Sequence, residues 1–195
     1  MTSIYFVRHA QPDHNEHHDR TRPLTEEGIA DSKKVTELLK DKQIDLLMSS
    51  PYKRSVDTVA GLAEATGLEI HTEEDFRERN AGSWLGDDFK LYIEKQWKDF
   101  NYHIKDGECL GDVQRRNIRA LVKILEEYKD KNIVIGTHGT ALSSIINYYY
   151  PDYNFDSFMR MIDYMPYIIR LDFENTNCVN MEEELIIEKE YNKNK

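Results

Sequence analysis

Arg8 and His9 stand side by side directly after a short apolar run, SIYFV (residues 3–7). A second histidine, His138, follows another apolar run inside Thr137-His138-Gly139, and Arg54 closes the segment Ser49-Ser50-Pro51-Tyr52-Lys53-Arg54. Each piece alone is weak. A lone histidine after a strand is more often structural than catalytic, and Arg54 by itself reads as a solvated residue in the first turn of a helix. Together they suit phosphoryl transfer, which needs positioning and charge stabilisation more than elaborate covalent machinery. Arg8 and Arg54 can each make forked hydrogen bonds to non-bridging phosphate oxygens. Backbone N–H groups where a helix begins after Gly139 would aim partial positive charge at the same anion. His9 can attack phosphorus through one ring nitrogen. Its neutral form is favoured by nearby arginines, and a backbone carbonyl on the other nitrogen would fix its tautomer. His138 can donate to the developing oxyanion. A leaving alkoxide also needs a proton, and Glu78 in FRERNAGSW (76–84) is the candidate donor. The alternative for Glu78 is a solvated loop acid beside Arg77 and Arg79, and composition alone prefers that alternative.

These residues must be brought together by the elements around them. Residues 3–7, 44–48, 68–71 and 132–135 read as short apolar strands. Thr25 can cap a helix that turns Gly28, Ser32, Val35 and Leu39 to one face. Ser50 and Pro51 read as N-cap and first residue of a second helix with Val56, Val59, Ala60 and Ala63 on a face and Gly67 as its stop. Residues 75–88 read as an irregular loop. Helices follow near 88–100, with Phe89, Ile93, Trp97 and Phe100 together, and near 110–129, with Ile118, Leu121, Val122, Leu125 and Tyr128 inward. A further helix stops before Pro151, a short one covers 155–161, strands are expected at 167–173 and 185–188, and residues 191–195 should fray. Helices alternating with apolar strands predict an α/β fold, a three-layer α/β/α sandwich on a mostly parallel sheet. Ligands of such sheets bind beyond the carboxyl ends of the strands. Arg8-His9, residues 49–54 and Thr137-His138-Gly139 all leave strands at that edge.

Composition narrows the partners. The chain has 195 residues, 39% hydrophobic and 32% charged, with a formal net charge of −10. That is enough for one sizeable core, and the acidic balance argues against nucleic acid or an anionic membrane as the main partner. No repeat or low-complexity linker divides it, so residues 1–195 are expected to form one domain, with 87–107 as a small cap-like insertion. Cys109 and Cys178 are far apart in sequence and suggest two reduced thiols. With no leader-like or long apolar segment, a cytoplasmic location is expected.

The motifs then fall into a known order. The chain resembles the histidine phosphatase superfamily, also called the phosphoglycerate mutase-like family. Its RHG signature, with an Asn six residues after the His, appears as Arg8, His9, Ala10 and Asn15; its L-T-x-x-G appears as Leu24-Thr25-Glu26-Glu27-Gly28. Its S-S-P-x-x-R runs from Ser49 to Arg54, its E-x-x-x-G-x-W matches Glu78, Gly82 and Trp84, and its G-E-S becomes Gly107-Glu108-Cys109, followed by Asp112 and Arg116. Its second histidine is His138. The matches span residues 4–146. The resemblance implies a phosphatase working through a phosphohistidine on His9, with Glu78 as proton donor and Arg8, Asn15, Arg54 and His138 holding the phosphoryl group. It implies a small phosphorylated substrate and no cofactor. Arg22 and Glu108 are candidate substrate contacts. Ala10 for Gly should leave activity intact, whereas Cys109 for Ser replaces a hydroxyl with a weaker hydrogen-bonding group. A mutase of the same family, or a phosphate-binding module without catalysis, are the other readings; the short 87–107 segment should leave water access and favours hydrolysis.

The cluster His14, Glu16, His17, His18 and Asp19 raises the question of a metal. Pro12 and the lack of helical spacing argue against a ligand set of the HExxH kind, so a metal-free site beside a solvated loop is expected. Tyr148-Tyr149-Tyr150 reads as a helix end covering the core, with a homodimer contact as the alternative. Glu182-Glu183-Glu184 reads as a turn between strands. Arg115, Arg116 and Arg119 read as a solvated or salt-bridged helix face from which one could reach the substrate.

Overall fold

A computed structural model describes residues 1–83, 85 and 88–189. Its first strand, β1 (Thr2–Arg8), shows how the sheet is built. Side chains alternate across a strand, so Ile4 and Phe6 enter one apolar cluster while Tyr5 and Val7 enter another. β4 (Asn132–Thr137) alternates the same way, with Ile133 and Ile135 on one side and Val134 on the other. Strands buried on both faces need a helical layer on each. α1 (Glu26–Leu39) and α2 (Lys53–Thr66) cover one face through Val35, Leu39, Val59 and Leu62. α3 (Phe89–Lys98), α4 (Leu110–Glu127), α5 (Gly139–Tyr149) and α6 (Phe155–Met161) belong to the other.

With β2 (Leu46–Ser49), β3 (Ile70–Thr72), β5 (Tyr164–Glu174) and β6 (Asn177–Glu188), the sheet has the order β3-β2-β4-β1-β5-β6. β3, β2, β4 and β1 are parallel, β5 runs antiparallel to them, and β6, antiparallel to β5, returns to the direction of β1. The sandwich is therefore α/β with a mixed sheet. The register places Arg8 opposite Thr137 and Ser49 opposite Gly136, so three parallel strands end level with one another.

Several boundaries differ from expectation for physical reasons. α2 begins at Lys53 behind Tyr52, not at Pro51. Ser50 is held back because its N–H donates to the Gly136 carbonyl and its hydroxyl accepts from the Tyr52 N–H. The buried face of α2 also includes Arg54, Ser55 and Thr58, since the helix sends its first turns into the polar strand edge; Val56, Ala60 and Ala63 are half-buried. On α1 Asp31 is buried, salt-bridged by Lys34 and Lys189, and Ser32 is only half-buried. α3 ends at Lys98, before Phe100, and buries Tyr92 and Gln96 beside Ile93. Glu182, Glu183 and Glu184 lie within β6. Arg170 on β5 pairs with Glu182 and Glu184 across the strands, and the Tyr167 hydroxyl donates to Glu183. Tyr149 packs edge-on against Phe173, covering the core, while Tyr148 is exposed. The expected start of the 87–107 segment at Asp87, Trp84 and Gly86, and the expected frayed end at 191–195, lie outside the described residues. No helix among the described residues is long and apolar enough to cross a membrane.

Candidate active site

His9 follows β1 and is buried, its backbone N–H donating to the Thr137 carbonyl (3.1 Å). Its Nδ1 lies 2.7 Å from the Ala10 carbonyl oxygen. A carbonyl can only accept, so Nδ1 carries the proton and Nε2 keeps its lone pair. Burial, with the Arg54 and Arg8 guanidiniums nearby, holds the imidazole well below the usual histidine range, against the opposing pull of the Ala10 carbonyl. His138, fully buried at the N-cap of α5, packs edge-on to His9 with ring centroids 5.3 Å apart. Burial and then Arg54 hold it well below that range too.

The loop after His9 is fixed from two sides. The Ala10 N–H donates to the Thr58 hydroxyl of α2 (2.9 Å). The Gln11 carbonyl accepts from the Thr25 N–H (3.0 Å), and the Thr25 hydroxyl, which caps α1 through the Gly28 N–H, donates to Gln11 Oε1. A Cβ on Gly28 would sit 2.3 Å from the Gln11 carbonyl oxygen. Backbone contact of α1 with the His9 loop is thus the physical content of the Leu24 to Gly28 motif.

Arg8 is buried, and its Nη1 donates to the carbonyls of Met161, Ile162 and Tyr164. Its Nε and Nη2 lie over Gly139, where a Cβ would approach them to 3.3–3.4 Å. Arg54 is buried at the start of α2 and donates through Nη1 to the Asp19 carbonyl (2.6 Å), with the Asp19 carboxylate 3.1 Å away. The same carboxylate accepts from Arg22 Nη1 (3.0 Å), and Arg22 also donates to the carbonyls of Glu16 and His17. Arg22 is buried and holds the His-rich loop in shape. Asn15 is exposed and donates to Asp13 Oδ1. Asp19 was visible in the sequence only as a member of the His/acid cluster; the structure uses it to bridge two arginines. Among the described residues, no three His, Cys, Asp or Glu side chains are grouped to hold a metal ion.

Glu78 arrives on the loop after a single 3-10 turn, Glu74–Phe76. One carboxylate oxygen accepts the Arg79 N–H (2.7 Å), and the other accepts the Thr140 N–H in the first turn of α5 (3.1 Å). Glu78 and His138 therefore meet at one helix N-terminus, whose orphan N–H groups are natural anion partners. That end of α5 is shared between the carboxylate and any phosphate bound at Gly139.

The loop is held by one of the three arginines expected on a solvated or salt-bridged helix face, and the salt-bridged reading applies to it. Arg116 of α4 is buried and donates to the carbonyls of Asp75 (2.6 Å), Arg77 (2.8 Å) and Glu78 (3.2 Å), and to both oxygens of Glu108. Glu108 also accepts from Arg77 and from the Asn80 N–H. Burial would push the Glu108 carboxyl up, but Arg116, the Asn80 N–H and Arg77 together hold it below the usual carboxylate range. Glu108 thus braces the Glu78 loop. Gly82, at φ +82°, lets the backbones meet, since a Cβ there would lie 2.5 Å from the Lys105 carbonyl oxygen. Cys109 stands at the N-cap of α4 without a side-chain cap, its thiol on Asp112. Arg115 and Arg119 are exposed and pair with Asp112 and Asp75.

Two buried histidines and two buried arginines thus gather at the carboxyl edge of the parallel strands, with a carboxylate on the adjoining helix N-terminus. The chain belongs to the histidine phosphatase superfamily (branch 1), which it matches over residues 4–180. It is 28% identical over 151 residues to an uncharacterized phosphatase, PhoE, of Bacillus subtilis, covering 75% of this chain and 76% of that one. It is also 28% identical over 159 residues to a probable phosphoglycerate mutase, GpmB, of Yersinia pestis, covering 75% and 74%. The fold matches the structure of phosphoserine phosphatase from Entamoeba histolytica in complex with 3-phosphoglyceric acid, with a TM-score of 0.76, 20% identity, and 95% and 98% of the two chains covered.

Proposed function

We propose that this protein is a phosphomonoesterase acting on a small phosphorylated metabolite through a covalent phosphohistidine. The observation that carries the reading is the state of His9: neutral, with its proton fixed on Nδ1 by the Ala10 carbonyl and a lone pair left on Nε2. In the first half-reaction a P–N bond forms at Nε2 as the ester P–O bond breaks, and Glu78 in its protonated form gives its proton to the leaving alkoxide. The imidazole becomes cationic on phosphorylation, and the Ala10 carbonyl, already on Nδ1–H, stabilises that charge. In the second half a water gives its proton to Glu78, its oxygen bonds to phosphorus, and the P–N bond breaks to release phosphate. Arg8, Arg54, Asn15, His138 and the N–H at Gly139 are the groups we assign to the phosphoryl oxygens, with Asn15 turning from Asp13 to do so. Arg22 and Glu108 act through the loops they brace.

We read residues 1–195 as one domain, with 87–107 forming a modest wall over the site; its described helix, α3, packs Trp97 against Phe158 and Tyr153. Two free cysteines fit a reducing compartment, and we place the enzyme in the cytoplasm. The named relatives include both a phosphatase and a probable mutase, and water access past a short wall favours hydrolysis. A panel of phosphorylated metabolites scored for released phosphate tests the reading. It should include phosphoserine and 2- and 3-phosphoglycerate, the latter two with and without a bisphosphate primer. Phosphate release that disappears in His9→Ala is expected; primer-dependent isomerisation without phosphate release would make the protein a mutase instead.

A further inference from the structure

Among the described residues, the side chain of His138 has one hydrogen-bond partner: its Nε2 lies 2.8 Å from the Ser50 hydroxyl oxygen. The fold builds this contact directly. Ser49 pairs with Gly136 across β2 and β4, and the Ser50 N–H donates to the Gly136 carbonyl, which sets Ser50 beside the end of β4. Both residues are fully buried. The hydroxyl already accepts the Tyr52 N–H (3.3 Å), and its remaining partner among the described residues is His138. His138 Nδ1 has no hydrogen-bond partner among the described residues.

Counting donors separates the two tautomers. If Nε2 carried the proton, it would donate to Ser50. The serine hydroxyl hydrogen and the Nδ1 lone pair would then both be buried without partners. If Nδ1 carries the proton, Ser50 donates to the Nε2 lone pair and accepts from Tyr52, and a single buried donor, Nδ1–H, remains. Each buried polar group left unmade is costly, so the second arrangement is favoured. Burial and the surrounding arginines keep the ring neutral, so only one nitrogen holds a proton.

We infer that Ser50 is a positioning residue that fixes His138 as the Nδ1–H tautomer, making Nδ1 the atom that donates to the phosphoryl oxygens. The inference rests on the phosphatase reading for its consequence, but the tautomer itself does not. The serine of the Ser49-Ser50-Pro51 segment then acts on the reaction through the second histidine, without touching substrate. The unpartnered Nδ1–H gains its acceptor when an anion binds. Placing the proton on the other nitrogen would aim a lone pair at a negatively charged group.

The test is long-range ¹H–¹⁵N NMR of the full chain at neutral pH, with His138 assigned by the signals that disappear in His138→Gln. An Nδ1-protonated pattern for His138 in the wild-type chain is expected. In Ser50→Ala the pattern should shift to mixed or Nε2-protonated, and Ser50→Thr, which keeps the hydroxyl, should restore it. Hydrolysis of an aryl phosphate should fall by about 10–100-fold in kcat in Ser50→Ala, as for loss of a group that orients a reacting one, and recover in Ser50→Thr. An Nε2-protonated His138 in the wild-type chain, or an unchanged tautomer in Ser50→Ala, overturns the inference. Absence of any phosphate release from the wild-type chain would instead overturn the phosphatase reading, with the NMR result still deciding the tautomer.

Discussion

Arg116→Met removes the centre of the brace under Glu78 while keeping much of the side-chain volume. The wild-type guanidinium makes five hydrogen bonds, three to successive parts of the 75–78 backbone and two to Glu108. Breaking a buried ion pair by removing one partner costs about 3–5 kcal/mol. Here Glu108 keeps Arg77 and the Asn80 N–H, so the expected loss is near the lower end, about 3 kcal/mol. The activity effect has a different cause. The Glu78 carbonyl is itself one of the anchored groups, so the loop carrying the proton donor loses its register against α5. Full loss of a general acid costs roughly 10²–10⁴-fold, and we expect a drop of about 10²-fold for an alkyl phosphate, whose alkoxide needs the proton. An aryl phosphate, whose phenoxide leaves readily, should lose much less. Both esters should be measured as initial rates at a temperature where circular dichroism shows the variant folded, alongside Glu78→Gln and the double variant. If Arg116 acts through Glu78, the double variant should be no slower on the alkyl ester than Glu78→Gln alone. Additive losses, or wild-type alkyl turnover in folded Arg116→Met, would refute the reasoning.

Two further outcomes follow from the same geometry. His9 and His138 are held neutral by burial and arginines, whereas in the unfolded chain each titrates near 6.5. Below that pH the unfolded chain binds more protons, so stability should fall as pH drops, by up to about 1.4 kcal/mol per pH unit for each histidine. Urea midpoints between about pH 6 and 5 should show a shallower slope in His9→Gln; an identical slope would mean that His9 is charged in the folded protein. Cys109→Ser should add the missing N-cap of α4, worth about 1 kcal/mol. In a chain of this size that raises Tm by about 2–4 °C, and an unchanged or lowered Tm would show that the Asp112 contact already serves the helix end.

The parts legible in the sequence were those written in local pattern. Apolar runs marked the strands, Thr25 and Gly67 marked helix ends, and the strand-to-helix exits placed Arg8, His9, Arg54 and His138 on one edge. What stayed hidden depends on pairing between distant segments. Helical spacing from Val113 sets Arg116 apart from Arg115 and Arg119, but nothing local shows the nest of carbonyls from another loop that it enters. Asp19 looked like one more member of a charged cluster because its partners, Arg22 and Arg54, are assembled only by the fold. Glu182, Glu183 and Glu184 looked like a turn because their partners, Arg170 for Glu182 and Glu184 and the Tyr167 hydroxyl for Glu183, sit on the facing strand. The reversed direction of β5 was not legible for a related reason, since a strand's apolar pattern is the same whichever way it runs beside its neighbour.

The clamp on Arg8 has a consequence for how the protein is born. Arg8 is made well before the carbonyls that hold its Nη1, which belong to Met161, Ile162 and Tyr164. Its strand, β1, is flanked by β4 and β5, both made long afterwards. Pairings this distant in sequence are slow to close because the intervening chain must first lose its freedom. Until those strands are made, a nascent chain therefore carries His9 without the frame that holds it. The pocket around Arg8 and His9 is complete only when β4, β5 and the segment between them have folded back onto β1.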